Sequence, residues 1–223
     1  MCDKPYLIVM LTYNDMTVEN AYEIFDSCKE SKAVCFGFKE EPLPIDEMKR
    51  IFGLMKENGK TTGLEVVAYT EDEGLEGAKM AVECGCDFLM GTIFSDKILA
   101  LCKENNIKYM PFVGKVTERP SILEGEASDM IKEANEYIEK GAFGIDLLGY
   151  RYTKDAFSLI KEVTNGVKGS VCVAGSVDSY DRLDEILEAN PHSFTIGSAF
   201  FDNKFDGTFS EQIDKVVSYI EEH

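Results

Sequence analysis

The sequence predicts a single (β/α)8 barrel filling residues 1–223. Three observations carry that prediction. Apolar strand-like runs and helix-like runs alternate from end to end, which implies parallel pairing through helical crossovers. The repeat comes round eight times within 223 residues, inside the range of one such barrel. No linker, low-complexity tract or composition shift divides the chain, and no GxGxxG or P-loop motif favours an open doubly wound sheet instead.

In order, the expected strands are 6–11, 33–38, 63–69, 88–91, 108–113, 144–148, 171–174 and 193–196. The expected helices are 18–28, 45–57, 75–84, 96–104, 128–140, 154–163, 179–188 and 209–222. Thr17 reads as N-cap of the first helix, with Glu19 in its first turn, where a carboxylate suits the dipole. The second helix stops at Gly59. After the fifth strand a long exit loop runs from Gly114 to about Ala127.

Composition excludes several functions. Apolar residues make up 44% of the chain, ordinary for a globular protein, and net charge is −18. That balance opposes nucleic acid and anionic membrane surfaces, both of which need a basic footprint. The run 6–11 is too short to span a bilayer, and the first residues have no basic region or long apolar core, so no signal peptide is read. Seven cysteines lack disulfide or metal spacing; even Cys84 and Cys86 read as plain reduced thiols, as in a cytoplasmic protein. With only His192 and His223, a Ser-His-Asp triad or a histidine-rich metal site is not expected, and no metal or other cofactor is predicted.

The most informative stretch is 171–201, VCVAGSVDSYDRLDEILEANPHSFTIGSAFF. Two consecutive strands end in Gly-Ser, at Gly175-Ser176 and Gly197-Ser198, each read as the threshold of a helix. Glycine lets backbone approach a ligand closely, and free N–H groups at a helix start attract anions. In a (β/α)8 barrel the loops after strands seven and eight form the usual phosphate site. A small phosphorylated metabolite is therefore the expected partner.

Catalytic groups in this architecture belong at the C-terminal ends of strands. Lys39 ends an apolar strand and would face the barrel mouth, either paired with Glu40 or Glu41 or acting as base, electrophile or Schiff-base amine. Lys115 has the same logic after strand five. Asp146 and Glu65 lie inside apolar strands, where a carboxylate needs a partner; each is a candidate acid or base and equally a structural group. Asn14 reads as a ligand for a substrate hydroxyl, Asp15 as a helix cap, and Arg151 as the best of four arginines to hold a carboxylate or phosphate, with Arg119 second.

The segment GIDLLGYRYTKDAFSLIKEV together with the 171–201 stretch resembles the last third of N-acetylmannosamine-6-phosphate 2-epimerases. The segment GAKMAVECGCDFLMGTIFSDKILALCKENNIKYMPFVG resembles the middle of the 2-keto-3-deoxy-6-phosphogluconate aldolases. Both belong to the ribulose-phosphate-binding barrels. The resemblance implies that fold and carries over a phosphate site at Gly175, Ser176, Gly197 and Ser198. It carries over neither activity: Ala174 stands where the epimerases have an acidic residue, the epimerase lysine position falls near Val66, and Asp146 occupies the strand that bears the aldolase lysine.

The expected function is an enzyme acting on a phosphorylated sugar or hydroxy-keto acid through an enolate or enediolate, as an isomerase, epimerase or lyase. The alternatives are a class I aldolase or transaldolase with a Schiff base on Lys39 or Lys115, and a non-catalytic phosphometabolite-binding regulatory barrel. Such barrels often dimerise, so a homo-oligomer is allowed, though no motif specifies one.

Overall fold

A computed structural model describes residues 4–223. Eight parallel strands, β1 (Tyr6–Met10), β2 (Cys35–Lys39), β3 (Thr61–Val66), β4 (Phe88–Gly91), β5 (Lys108–Met110), β6 (Gly144–Leu147), β7 (Ser170–Val173) and β8 (Ser193–Ile196), form one sheet in the order β6-β7-β8-β1-β2-β3-β4-β5. The open edges meet through a parallel bridge between Phe112 and Asp146, supported by Asp146 N–H donating to the Pro111 carbonyl (2.9 Å) and Phe143 N–H to that of Tyr109 (3.0 Å). The sheet is a (β/α)8 barrel, as predicted.

The helices are α1 (Ala21–Cys28), α2 (Ile45–Glu57), α3 (Glu71–Cys84), α4 (Asp96–Glu104), α5 (Ala127–Lys140), α6 (Ala156–Gly166), α7 (Tyr180–Ala189), the short α8 (Ser198–Phe201) and α9 (Phe209–Glu222). Among the described residues no helix is long and apolar enough to cross a membrane. Side-chain alternation along each strand divides the core in two. Outward residues such as Val9, Phe36, Phe38, Leu64 and Leu89 pack under the helices. Ile8, Met10, Cys35, Phe88, Met90, Met110 and Cys172 fill the barrel lumen. The same inward parity brings Lys39 and Glu65 to one level, because they are register partners on β2 and β3.

Three local expectations need correction. Helix α1 begins at Ala21 with Asn20 as its cap residue, and Thr17 does not cap it. Residues 12–17 instead form a hairpin, Thr12–Tyr13 against Met16–Thr17, with Asn14 (φ 48°) and Asp15 (φ 68°) as its two-residue turn. Asn and Asp tolerate the left-handed region this turn requires. The exit loop of β5 contains a second hairpin, Lys115–Thr117 against Ile122–Glu124. Gly197-Ser198 does open a helix, α8, but Gly175-Ser176 does not: α7 starts at Tyr180, and its cap is Ser179, whose hydroxyl accepts from Arg182 N–H.

Candidate active site

At the C-terminal end of the barrel a cavity of about 170 Å³ is lined by Lys39, Glu65 and Asp15 and by Gly175, Ser176, Gly197 and Ser198. The charged group is built by the 12–17 hairpin. Thr17 Oγ1 donates to the Lys39 carbonyl (2.8 Å) and accepts from Lys39 N–H (2.9 Å), while Thr17 N–H donates to the Glu41 carbonyl (2.9 Å). This clasp swings Asp15 over the end of β2. Lys39 Nζ then bridges two carboxylates, Asp15 Oδ1 at 2.7 Å and Glu65 Oε1 at 2.9 Å, with only 6% of the lysine exposed. Its partners are therefore not Glu40 and Glu41, which pair instead with Arg119 (3.1 and 3.2 Å).

Burial acts to depress the Lys39 pKa, but the charges of Glu65 and Asp15 and their hydrogen bonds outweigh it, and the net direction is upward. Lys39 is thus a buried ammonium. A general base or a Schiff-base nucleophile needs the free amine, so the geometry suits Lys39 to stabilising an oxyanion. The other Asp15 oxygen, Oδ2, is buried without a hydrogen-bond partner; Arg119 Nε stands 3.8 Å away.

Asp146 lies below this group, 1% exposed, with Oδ1 unpartnered. Burial raises its pKa well above the usual carboxylate range, the negative charge of Glu65 raises it further, and Lys39 opposes both. It does not line the cavity.

The Gly-Ser corners line the same cavity. A Cβ on Gly197 would lie 2.5 Å from Thr12 Oγ1 and 2.9 Å from the Thr12 carbonyl, so only glycine lets β8 pass the first hairpin this closely. Gly175 has φ 111°, and a side chain there would press on Tyr150 and on Arg151 Cγ. Arg182 donates to the Ser176 carbonyl and pairs with Asp178 (3.0 Å). Ser198 Oγ accepts from Asn14 N–H (3.1 Å). Arg151 and Lys204 also line the cavity here, and among the described residues neither has a carboxylate partner.

Two predicted residues lie elsewhere. Lys115 is not at the mouth: it sits on the second hairpin, directly across from Glu124, and pairs with it at 2.7 Å with 69% of its side chain exposed. Asn14 is exposed at the first turn and does not line the cavity; only its backbone reaches it, through Ser198. Two residues were missed. Asp15 hides as a turn residue, and the signal for it is the Asn-Asp pair midway between apolar residues after β1. Lys204 follows α8 in an irregular stretch, and no periodicity marks it.

No protein-family model matches the chain, and no curated protein matches it. Solved structures do resemble it. The tryptophan synthase complex from Pyrococcus furiosus matches with TM-score 0.69 at 14% identity over 100% of both chains. Orotidine 5′-phosphate decarboxylase from Pyrococcus horikoshii OT3 gives 0.66 at 17%, covering 96% of this chain and 99% of the other. N-acetylmannosamine-6-phosphate 2-epimerase from Clostridium perfringens gives 0.64 at 14%, covering 96% and 92%. The chain shares the (β/α)8 barrel fold of these proteins.

Proposed function

We propose that the protein is an enzyme that holds a small phosphorylated substrate by its phosphate at the Gly-Ser corners and reacts it over Lys39 through an enolate or enediolate. The observation that carries this reading is that a single cavity is lined both by the Gly-Ser corners with Arg151 and Lys204 and by a buried ammonium between two carboxylates. Phosphate oxygens would take N–H groups of Ser176 and Ser198, the Ser198 hydroxyl, and the side chains of Arg151 and Lys204. Charge-assisted bonds of this kind are the strong ones. The names of two structural neighbours, a decarboxylase of a 5′-phosphate and an epimerase of a 6-phosphate, agree with a phosphorylated substrate.

At the reacting end, the Lys39 ammonium faces the carbonyl oxygen and stabilises it as negative charge develops there. Asp15, which lines the cavity, takes the proton from the adjacent carbon. Glu65 holds the ammonium in place. The same set serves isomerisation, epimerisation or carbon–carbon cleavage, which differ in what next happens to the enolate. A Schiff-base mechanism has less support, because Lys39 stays protonated and Lys115 is outside the cavity.

The test is solvent exchange. Aldose and ketose phosphates incubated with the protein in deuterium oxide should lose a carbon-bound proton signal by NMR, and the Lys39→Met variant should abolish the exchange. Borohydride should trap no adduct. Tight binding across the panel without exchange or turnover would leave the regulatory-barrel reading in its place, and a stable adduct on Lys39 would restore the Schiff base.

A further inference from the structure

On the opposite face of the barrel, α3 ends at Cys84, Gly85 turns the chain, and Cys86 leads into β4. Gly85 has φ 65° and ψ 38°, the mirror image of helical backbone, and its N–H donates to the Val82 carbonyl (2.9 Å) while Cys86 N–H donates to that of Ala81 (3.0 Å). The separation of the two flanking Cα atoms depends only on the dihedrals between them. Helical dihedrals of either hand place residues i and i+2 about 5.4 Å apart. That lies within the 4.4–6.8 Å or so that a disulfide requires. The helix cap thus holds the Cα atoms of two cysteines at bridging distance.

We propose that Cys84 and Cys86 form a reactive dithiol, in which Cys84 is the attacking thiol and Cys86 the resolving one, convertible to an intramolecular disulfide by small-molecule disulfides. Accessibility sets the order. Cys84 is half-buried and reachable, whereas Cys86 is buried behind it. Two lysines flank the turn: Lys56 donates to the Gly85 carbonyl, and Lys49 pairs with Glu83 beside Cys84.

The thiol energetics agree with this geometry. The neighbouring Cys86 thiol lowers the Cys84 pKa against the opposing effect of burial, while burial first and Cys84 second push Cys86 well up. Burial pushes Cys28, Cys35 and Cys102 up to about 12, and Cys172 is raised well above its ordinary value. Cys84 is the one lowered thiol among the described cysteines, and the thiolate is the reactive form.

The chemistry balances with a disulfide of the glutathione type as oxidant. The Cys84 thiolate attacks one sulfur of the oxidant, forming a mixed disulfide and releasing one thiolate. Cys86 then gives up its proton to the released thiolate and attacks the Cys84 sulfur, closing the protein disulfide and expelling the second thiolate, which takes a proton from water. In sum, the protein loses two hydrogens and the oxidant becomes two thiols.

The full chain carrying Cys2→Ser, treated with oxidised glutathione near pH 7.5, tests this by intact mass and peptide mapping. The expected product has lost two hydrogens and has residues 84 and 86 cross-linked. Adding Cys86→Ser should instead leave one glutathione stably attached at Cys84. Adding Cys84→Ser should slow thiol loss by roughly tenfold or more, as expected when the thiolate-rich, accessible sulfur is removed. The proposal is overturned if the parent protein keeps all its thiols under conditions that oxidise dithiothreitol, or if it accumulates the same stable glutathione adduct as the Cys86→Ser variant. The parent measurement needs no further substitution, so poor folding of a cysteine variant does not blunt the test.

Discussion

At the scale of single residues, the site is a problem in buried charge. Lys39 is surrounded by Asp15 and Glu65, and removing the ammonium leaves two carboxylates facing each other. Breaking a buried pair by deleting one partner costs about 3–5 kcal/mol, so Lys39→Met should lower the urea midpoint at neutral pH by that much stability. The raised lysine pKa fixes the alkaline behaviour of the parent: the ion pair contributes fully below the unfolded value of about 10.4 and is lost as pH rises through the higher folded value.

Asp146 has the opposite consequence. Its folded pKa lies above the unfolded value, so between the two the native state holds a proton that the unfolded chain has lost, and stability falls as pH rises across that window. Asp146→Asn removes the titration. The variant should therefore gain stability over the parent at pH 7, with the gain shrinking toward zero near pH 4. A difference independent of pH would mean that Asp146 is ionised in the fold. The burial of Lys39, Glu65 and Asp146 was legible in the sequence because a charge within an apolar strand has few places to go. Asp15 was not, because a turn residue has many.

At the scale of elements, legibility followed local signals. The predicted limits of α4, α9 and β8 agree with the structure because each is marked in sequence: Ser95 accepts from Lys97 N–H, Thr208 and Glu211 form a capping box, and Pro191 precedes a short apolar run. The start of α1 was misread because residues 12–17 pair with each other and clasp β2 through Thr17, a tertiary outcome. The same holds for the second hairpin. Lys115 follows a strand, yet antiparallel pairing turns it outward onto Glu124.

That second hairpin is fastened over the cavity rim by Arg119 to Glu40, Glu41 and the Asp15 carbonyl, and by Tyr69 Oη, which donates to the Glu118 carbonyl (2.6 Å). Ser121, between its strands, lines the cavity. Arg119→Ala loosens the clasp without touching the barrel. Partly exposed ion pairs contribute about 0.2–1 kcal/mol, so amide exchange across 115–124 should rise by about twofold to fivefold while exchange in β1–β8 stays unchanged. Equal acceleration in the barrel strands would assign Arg119 to global stability instead.

At the scale of the whole molecule, the barrel's closure was legible because eight units in so short a chain leave no other compact arrangement. The strand register was not, and register is what sets Lys39 level with Glu65. The net charge of −18 adds a further consequence. On the proposed reading, an approaching phosphate would feel the repulsive field of the whole surface first and the donors at Gly175, Ser176, Gly197 and Ser198, with Arg151 and Lys204, only at close range. Long-range fields govern association, and salt screens them beyond about 10 Å at 0.1 M. Stopped-flow binding of a sugar phosphate should therefore show an association rate that rises by about twofold to fivefold between ~10 and ~150 mM salt, contrary to the usual fall for an attractive, basic site. Arg151→Met should keep that trend while speeding dissociation about tenfold or more, since it removes a charge-assisted hydrogen bond and leaves the distant field nearly intact. An association rate that falls with salt would mean that local cations already dominate at a distance, and the phosphate would then be steered by Arg151 and Lys204 as well as held by them.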